Sequence, residues 1–157
     1  MKVRLVKQPF QLSCMCHVKK SFTCIRGTPF VLNTGCSAPL GMESRLIKDS
    51  QITASSQWDG NHAAIQARLN FLKRGHKRGG WSSRWNNANQ WIQVDHRSYT
   101  KLTSIATQGR NGHSQWVTKY KLQYSDDGVN FLYYKVPGQS SAKVKSCPMK
   151  SLDVTSR

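Results

Sequence analysis

Acidic residues are scarce in this chain, whose 157 residues include 7 Asp and Glu against 24 Lys and Arg, for a formal net charge of +17. The excess is spread out, because residues 1–35 hold six basic and no acidic residues, residues 36–143 fifteen and six, and residues 144–157 three and one. Such a field favours polyanionic partners, namely nucleic acid, acidic glycans or anionic lipid headgroups. A solvated basic surface without a dedicated partner is the simpler alternative.

Other sequence signals are missing, and each absence excludes a class of protein. No apolar run reaches the length of a transmembrane helix, and the basic start lacks the apolar stretch of a signal peptide, so we predict neither. The absence of a basic amphipathic helix, of zinc-finger spacing and of an aromatic single-strand platform argues against a nucleic-acid-binding protein. No paired carboxylates, activated nucleophile or metal cluster stand in a motif, so we predict no enzyme.

The cysteines form an odd set, and an oxidising compartment would leave at least one of them unpaired within the chain. Three fall in residues 1–35, which show neither a clean helical nor a clean strand period, and we interpret that stretch as an irregular basic leader. The Cys-x-Cys-His spacing found there matches none of the common zinc patterns. The five are Cys14, Cys16, Cys24, Cys36 and Cys147.

Short strand-like runs dominate the rest of the chain. In residues 119–124, Tyr120, Leu122 and Tyr124 alternate with polar residues, which is the period of a half-buried strand. A hairpin turn at residues 125–128 and a return strand at 131–136 follow. Many short strands joined by Gly- and Asn-rich loops predict an all-β sandwich or barrel. Further strands are expected at residues 52–55, 90–96 and 102–107, with a helical turn or two at 63–69 and a divergent tail at 144–157.

Long, ordered motifs run through residues 36–136. They include Pro39-Leu40-Gly41-Met42-Glu43-Ser44 after Cys36, Gln51-Ile52-x-Ala54-Ser55-Ser56, Asn89-Gln90-Trp91-Ile92-Gln93-Val94-Asp95, Ile105-Ala106-Thr107-Gln108-Gly109-Arg110 and Tyr120-x-Leu122-x-Tyr124-Ser125-Asp126-x-Gly128. The series closely resembles the discoidin domain, the C-type domain of coagulation factors V and VIII. This resemblance implies a distorted jelly-roll β-sandwich over residues 36–143, extracellular and without catalytic activity.

The resemblance also implies binding through three loops at one end of the sandwich, residues 57–62 (loop 1), 70–79 (loop 2) and 109–115 (loop 3). The family's ligands are phosphatidylserine head groups, galactose-type glycans, and collagen or another protein. An exposed aromatic ringed by cations suits an anionic membrane or an acidic glycan. The candidate ligand-binding residues are Trp58, Asp59, Asn61, His62, Lys73, Arg74, His76, Lys77, Arg78, Arg110, His113 and Gln115.

Several candidates have simpler structural explanations. Among the tryptophans we expect Trp58 to be exposed and Trp116 half-buried, whereas Trp81, Trp85 and Trp91 are expected in the core because large aromatics dominate sandwich cores. The loop histidines are expected to bind no metal. Two lone carboxylates, Asp49 and Asp59, are only weak calcium candidates, and no other cofactor is predicted.

Three departures from the family pattern limit what the resemblance implies. His96 stands where an apolar residue is usual, and Arg45 stands where a glycine is usual. The family's last strands, and the closing cysteine that would pair with Cys36, are not recognisable, and Cys147 comes several strands too early. We therefore expect a sandwich lacking its last strands, with exposed apolar surface and unpaired edges that make the isolated chain aggregate.

Overall fold

Six β-strands and three short 3-10 turns make up the secondary structure of the computed structural model, which describes residues 1–7, 39–100, 102 and 104–146. The strands are β1 (Lys2–Lys7), β2 (Ile52–Ala54), β3 (Trp91–Asp95), β4 (Lys119–Ser125), β5 (Leu132–Tyr133) and β6 (Val144–Ser146). The 3-10 turns are Asp49–Gln51, Gly60–His62 and Ala64–Ala67. The predicted all-β class is confirmed, and no helix in the described ranges is long and apolar enough to cross a membrane.

The strands form one antiparallel sheet in the order β2-β3-β1-β4-β5. β6 also pairs with β4, so the outer edge of β4 is shared between two short strands. β5 lies opposite Gln123 and Tyr124, and β6 lies opposite Lys119, Tyr120 and Lys121. Both edges of β4 are therefore occupied, one by β1 and the other by β5 and β6.

The first strand lies at the centre of the sheet, and the prediction of an irregular leader is wrong for Lys2–Lys7. Leu5 is paired with Ile92 of β3 on one side and with Leu122 of β4 on the other. Val3 and Leu5 are buried, whereas Arg4 points to the opposite face of the sheet. The alternation Lys-Val-Arg-Leu was the available signal, but it is too short to stand out by itself. Residues 8–38, with four of the cysteines, lie outside the described part.

One face of the sheet carries the core. Leu5, Ile52, Ile92, Val94 and Tyr120 pack from the strands. Loops and 3-10 turns form the opposing layer, rather than a second set of strands within the described residues. That layer contributes Met42, Ile47, Ala64, Ala67, Trp81 and Val117.

The strand predicted at residues 102–107 is wrong for its described members. Residues 102 and 104–107 belong to no strand, although Ile105 packs against the core. Thr and Ile favour a β conformation locally, but a strand also needs a partner edge. The edges of β4 are already filled, so this stretch crosses the core face as an irregular segment.

The hairpin turn after β4 is confirmed, together with its chemistry. Oδ1 of Asp127 accepts hydrogen bonds from Ser125 Oγ and from the backbone N–H groups of Val129 and Asn130, each at 2.8 Å. These bonds, the one from Val129 first, hold the pKa of Asp127 far below its ordinary value. Gly128 has φ +79°, as the turn requires. The return strand is shorter than predicted, since only Leu132–Tyr133 pair with β4.

Apolar surface is exposed around β5 and β6, as expected for a sheet incompletely covered on this side. Val129 is 80 % exposed, Leu132 62 % and Val144 46 %. A partly open cavity of about 290 Å³ lies beside β1 and β4 and is lined by Val3, Leu122 and other residues. The tail was predicted to begin at residue 144, but its first three residues form β6 and belong to the sheet. Residues 147–157 lie outside the described part.

Arg45 and His96, the two residues that depart from the family pattern, lie in unusual surroundings. Arg45 has φ +66°, in the left-handed region that favours glycine. His96 follows β3 and is half-buried, and its backbone N–H donates to the carbonyl of Met1 at 3.0 Å. Burial, and next the charge of the N-terminal amine, lower the pKa of His96 to about 4, against a smaller opposing effect of Asp95.

Candidate functional site

Strand direction brings the three loops to one end of the sheet. β2 is antiparallel to β3, and β1 is antiparallel to both β3 and β4. The end of β2 therefore lies beside the starts of β3 and β4. Loop 1 follows β2, loop 2 precedes β3 and loop 3 precedes β4, so all three project from the same side, which we call the loop end.

Loops 1 and 2 are joined by a backbone hydrogen bond. The N–H of Arg78 donates to the carbonyl of Asn61 at 3.1 Å, and the side-chain carbonyl of the buried Gln66 lies at the same distance from that N–H. The N–H of Trp58 donates to the carbonyl of Ser82 at 2.8 Å, which ties loop 1 to the segment before β3. Loop 1 is thus fixed along its length.

Loops 2 and 3 are joined by two hydrogen bonds that involve Asn111. The N–H of Asn111 donates to the carbonyl of Gly79 at 3.2 Å, and the Asn111 side-chain oxygen accepts from the N–H of Lys73 at 3.1 Å. Gly79 has φ +67°, and a Cβ there would lie 2.7 Å from the carbonyl oxygen of Asn111. Only glycine fits this junction without displacing a loop.

Asp59 and His62, both proposed as ligand contacts, instead shape loop 1. The imidazole of His62 is buried, with its Nδ1 2.7 Å from Asp59 Oδ1. The same carboxylate accepts from the N–H of Asn61 at 2.8 Å and so caps the 3-10 turn Gly60–His62. The hydrogen bond from His62 is the largest effect that lowers the pKa of Asp59. A buried imidazole already bonded to a carboxylate is poorly placed to meet a ligand.

Arg110 and Gln115 close loop 3. Nε of Arg110 donates to the carbonyl of Arg78 at 2.8 Å, and its Nη1 donates to the side-chain carbonyl of Gln115. The backbone N–H of Arg110 also donates to the carbonyl of Gln115 at 2.9 Å. In these two predicted contacts, Nε and Nη1 of Arg110 and Oε1 of Gln115 are thus engaged in hydrogen bonds within the protein.

His113 remains exposed at the top of loop 3. Its pKa is lowered, first by partial desolvation and then by the positive charges of Arg110, Lys73 and Arg78. The imidazole is therefore neutral at physiological pH. His113 consequently adds hydrogen-bonding capacity to the loop end but little charge.

Loop 2 carries a basic tip, which we define as Lys73, Arg74, His76 and Lys77. The backbone N–H and C=O groups of Arg74 and Lys77 bond reciprocally at 3.2 and 3.0 Å, which closes a tight turn with Gly75 at φ +54°. All four side chains are exposed. Among the residues that the structure describes, none of the four forms an ion pair with a carboxylate, and the ion pairs found there are His62–Asp59 and Arg68–Asp49. The tip is therefore available to an external anion.

A groove of about 710 Å³ lies between the basic tip and the loop that contains Arg45. Phe71 and the 48 % exposed Leu72 give it an apolar wall. Its one carboxylate is Glu43, which accepts a hydrogen bond from Asn70 Nδ2 at 2.6 Å. Arg45, Phe71 and Leu72 are not among the binding residues predicted from the sequence. The mixed apolar and basic run 70–78 was the available signal for the latter two.

Buried Arg68 forms part of the groove floor. Its guanidinium donates to the carbonyls of Met42 at 3.0 Å and Ile47 at 2.8 Å, and it pairs with Asp49. The weak calcium candidates are thus each engaged elsewhere, Asp49 by Arg68 and Asp59 by His62. They stand at either end of β2, and no group of three metal-ligating side chains occurs in the described ranges.

The tryptophans divide between core and surface, though not entirely as expected. Trp58 is 64 % exposed and Trp81 is buried with its Nε1 donating to the carbonyl of Ser56 at 2.8 Å, so both predictions are confirmed. The half-buried position predicted for Trp116 is also confirmed. Trp85, predicted in the core, is 55 % exposed, with the Arg84 guanidinium 5.1 Å from its ring. Trp91 is half-buried on the face of the sheet opposite the core, beneath Arg4.

Trp85 belongs with loop 1 in space. The N–H of Arg84 donates to Ser56 Oγ at 3.0 Å, and Trp58 is bonded to Ser82 on the same two segments. Sequence spacing hid this because three tryptophans within eleven residues resemble a buried cluster. The loop end therefore presents two exposed tryptophans and a basic tip.

Comparison with known proteins places these loops in a family context. The sequence model described as F5/8 type C domain matches residues 51–154. Lactadherin of Rattus norvegicus is 41 % identical over 111 residues, covering 68 % of this chain and 26 % of the relative. Coagulation factor V of Sus scrofa is 45 % identical over 107 residues, covering 64 % of this chain and 5 % of the relative.

A human relative, EGF-like repeat and discoidin I-like domain-containing protein 3, is 43 % identical over 123 residues, which cover 71 % of this chain and 24 % of the relative. The chain thus spans about a quarter or less of the length of these relatives. No solved structure matches it significantly.

Proposed function

This chain belongs to the F5/8 type C, or discoidin, domain family, and from that premise we propose that its loop end is a non-enzymatic recognition surface for anionic phospholipid outside the cell. The observation that carries the proposal is the combination of the exposed basic tip with three exposed apolar side chains. Those side chains are Trp58, Trp85 and Leu72. Cations beside protruding apolar groups suit an interface between headgroups and acyl chains.

Charge supplies the larger share of the expected affinity. The basic tip contributes Lys73, Arg74 and Lys77, and each basic residue near an anionic membrane contributes about 1 kcal/mol, less at high salt. The exposed tryptophans add an amphipathic ring whose apolar body can enter the interface while its N–H stays at the headgroup level. The proposal therefore predicts salt-sensitive binding with an apolar remainder.

An acidic or galactose-type glycan is the second candidate ligand. The groove beside the basic tip favours it, because an open groove of about 710 Å³ with Asn61, His76 and Lys77 among its lining residues offers polar contacts to hydroxyl and acidic groups. A flat bilayer surface has no need of such a groove. A matrix protein such as collagen, the further ligand that the family resemblance implies, is a weaker third candidate.

The test is sedimentation with phosphatidylcholine liposomes that either contain or lack phosphatidylserine, beside a glycan array and a DNA mobility shift. Arg74→Ala combined with Lys77→Ala removes two charges and should cost about 2 kcal/mol, roughly thirtyfold in liposome affinity. The matched control is Lys48→Ala with Arg97→Ala, which removes the same charge at the opposite end of the sheet and should change binding far less.

The outcomes separate the candidates. Phosphatidylserine-dependent sedimentation that the loop-end double variant weakens and the control leaves intact supports the phospholipid proposal. Selective array binding without sedimentation would transfer the site to a glycan. Equal losses of liposome affinity in both double variants, or binding to DNA as tight as binding to liposomes, would contradict a specific site. Either result would show that the loop end attracts anions only through general electrostatics.

A further inference from the structure

The central strand of the sheet is separated from the remainder of the domain by a long stretch of sequence. Thirty-one residues, 8–38, stand between Lys7 and Pro39. Fully extended, these residues reach about 100 Å, whereas a compact chain of 157 residues has a radius of gyration of about 15 Å. Chain length therefore does not determine which copy of the sheet receives β1.

The position of β1 is a slot between two strands that run in the same direction. β1 is antiparallel to β3 over five paired residues and antiparallel to β4 over six. Without β1, each neighbour would present an unpaired edge in the middle of the sheet. The domain thus requires an antiparallel strand here, whichever molecule supplies it.

Within the part of the chain that the structure describes, the contacts that hold β1 in the slot join residues 1–7 to residues beyond 39. The Arg4 guanidinium lies 4.2 Å from the Trp91 ring and 3.5 Å from the Phe131 ring, and its Nε donates to Gln93 Oε1 at 2.7 Å. The N–H of Lys7 donates to the carbonyl of Gln90 at 2.9 Å, and the carbonyl of Met1 accepts from His96.

The core packing of β1 also involves residues beyond 39, since Leu5 joins the core cluster formed by those loops and strands. None of these contacts depends on how residues 8–38 run. The β1 of a second copy would therefore make the same contacts in the same register.

We propose that β1 is an exchangeable strand and that two copies of this chain form a dimer by inserting their first strands into each other's slots. A strand tethered to its own domain acts at an effective concentration of roughly millimolar. Exchange is accordingly favoured when chains fold together at comparable protein concentrations. Because the slot is closed on both sides, exchange requires unfolding, and a dimer once formed persists on dilution.

The test places one cysteine on each side of the slot, in different molecules. All five native cysteines lie outside the described residues and are first replaced by serine. One copy then carries Lys2→Cys and a differently tagged copy carries Asp95→Cys, because Lys2 and Asp95 are paired in the register. Each copy keeps its own strand and slot, so both retain the means to fold.

The two copies are refolded together at micromolar and at near-millimolar concentration, and then oxidised. We expect a disulfide between the two tagged chains that increases with the refolding concentration and appears in the dimer peak of size-exclusion chromatography. The matched control pairs Lys2→Cys with His113→Cys, at the loop end, and should give no such increase.

Two results would overturn the exchange. One is the absence of a dimer at every concentration. The other is a dimer in which Lys2→Cys links no more readily to Asp95→Cys than to His113→Cys, because that dimer would form through another surface. A synthetic peptide of residues 1–7 supplies a further check, since it should compete with formation of the dimer, whereas the same peptide with Leu5→Lys should not.

Discussion

The centre of the sheet and the loop end are held together by different means. Backbone hydrogen bonds and inward-facing side chains of β3, β1 and β4 stabilise the centre of the sheet. Leu5, Ile92 and Tyr120 are buried there. At the loop end, backbone groups and a few polar side chains such as Asp59 and Asn111 join one loop to another. Most of the remaining charged side chains are left exposed. Stability and recognition can therefore be altered separately.

The largest expected effect comes from the centre of the sheet. Leu5→Ala removes buried methyl groups between β3 and β4 and should lower the free energy of unfolding by about 3 kcal/mol, measured by urea denaturation. Val129→Ala, at an 80 % exposed site, is the matched control and should change it little. A Leu5→Ala loss no larger than that of the control would remove β1 from the stabilising centre.

Gly79→Ala should act on the loop end. The left-handed φ and the 2.7 Å distance between the added Cβ and the carbonyl oxygen of Asn111 together should cost about 2 kcal/mol and separate loops 2 and 3. Gly60→Ala, where an added Cβ meets nothing within 4 Å, is the control. If the two loops are coupled to binding, the liposome affinity of Gly79→Ala should fall with its stability. Equal behaviour of the two glycine variants would contradict the proposed junction.

Acidification should weaken the domain through His96. In the unfolded chain the imidazole has its ordinary pKa of 6.5, whereas in the folded domain its pKa is lowered to about 4. The stabilisation is thus complete above pH 6.5 and is lost as pH falls through this window, by at most about 2 kcal/mol at pH 5. His96→Leu should flatten the pH dependence measured by thermal unfolding between pH 6.5 and 5. An unchanged slope would show that other groups cause it.

The smallest effect is expected at Arg45, where charge and backbone strain coincide. Arg45→Gly should raise the free energy of unfolding by about 1 kcal/mol, because glycine adopts φ +66° without a steric cost. Arg45→Ala removes the same charge from the groove but keeps the strain, and should give no such gain. Both variants should weaken anion binding equally. A stabilisation common to both would point to charge repulsion rather than to backbone strain.

Local patterns predicted those elements whose periodicity is complete. β4 alternates over seven residues and ends in a turn with its own chemistry at Asp127 and Gly128, so strand and turn were both evident. The grouping of the three loops followed from the family resemblance, and the strand directions account for it physically. By contrast, β1 joins the sheet across a sequence separation of more than eighty residues from β3, which no window of local sequence contains.

Side-chain roles were harder to predict than elements. His62 and Arg110 carry the residue types expected of a binding loop, but the structure uses them to hold the loops. Trp85 reads as a core residue from its neighbours Trp81 and Trp91, and only the path of residues 82–85 beside Ser56 brings it to the surface. Whether a polar group faces a ligand or a neighbouring loop depends on three-dimensional contacts that composition does not encode.

The arrangement of Arg4 over Trp91 and Phe131 has a spectroscopic consequence. Trp91 is covered by a side chain of the central strand, so its indole changes surroundings whenever that strand enters or leaves. In a chain whose other four tryptophans are replaced by phenylalanine, the fluorescence of Trp91 would become an intrinsic reporter of slot occupancy. The arrival of β1 could then be timed during refolding by stopped-flow emission, without an added label.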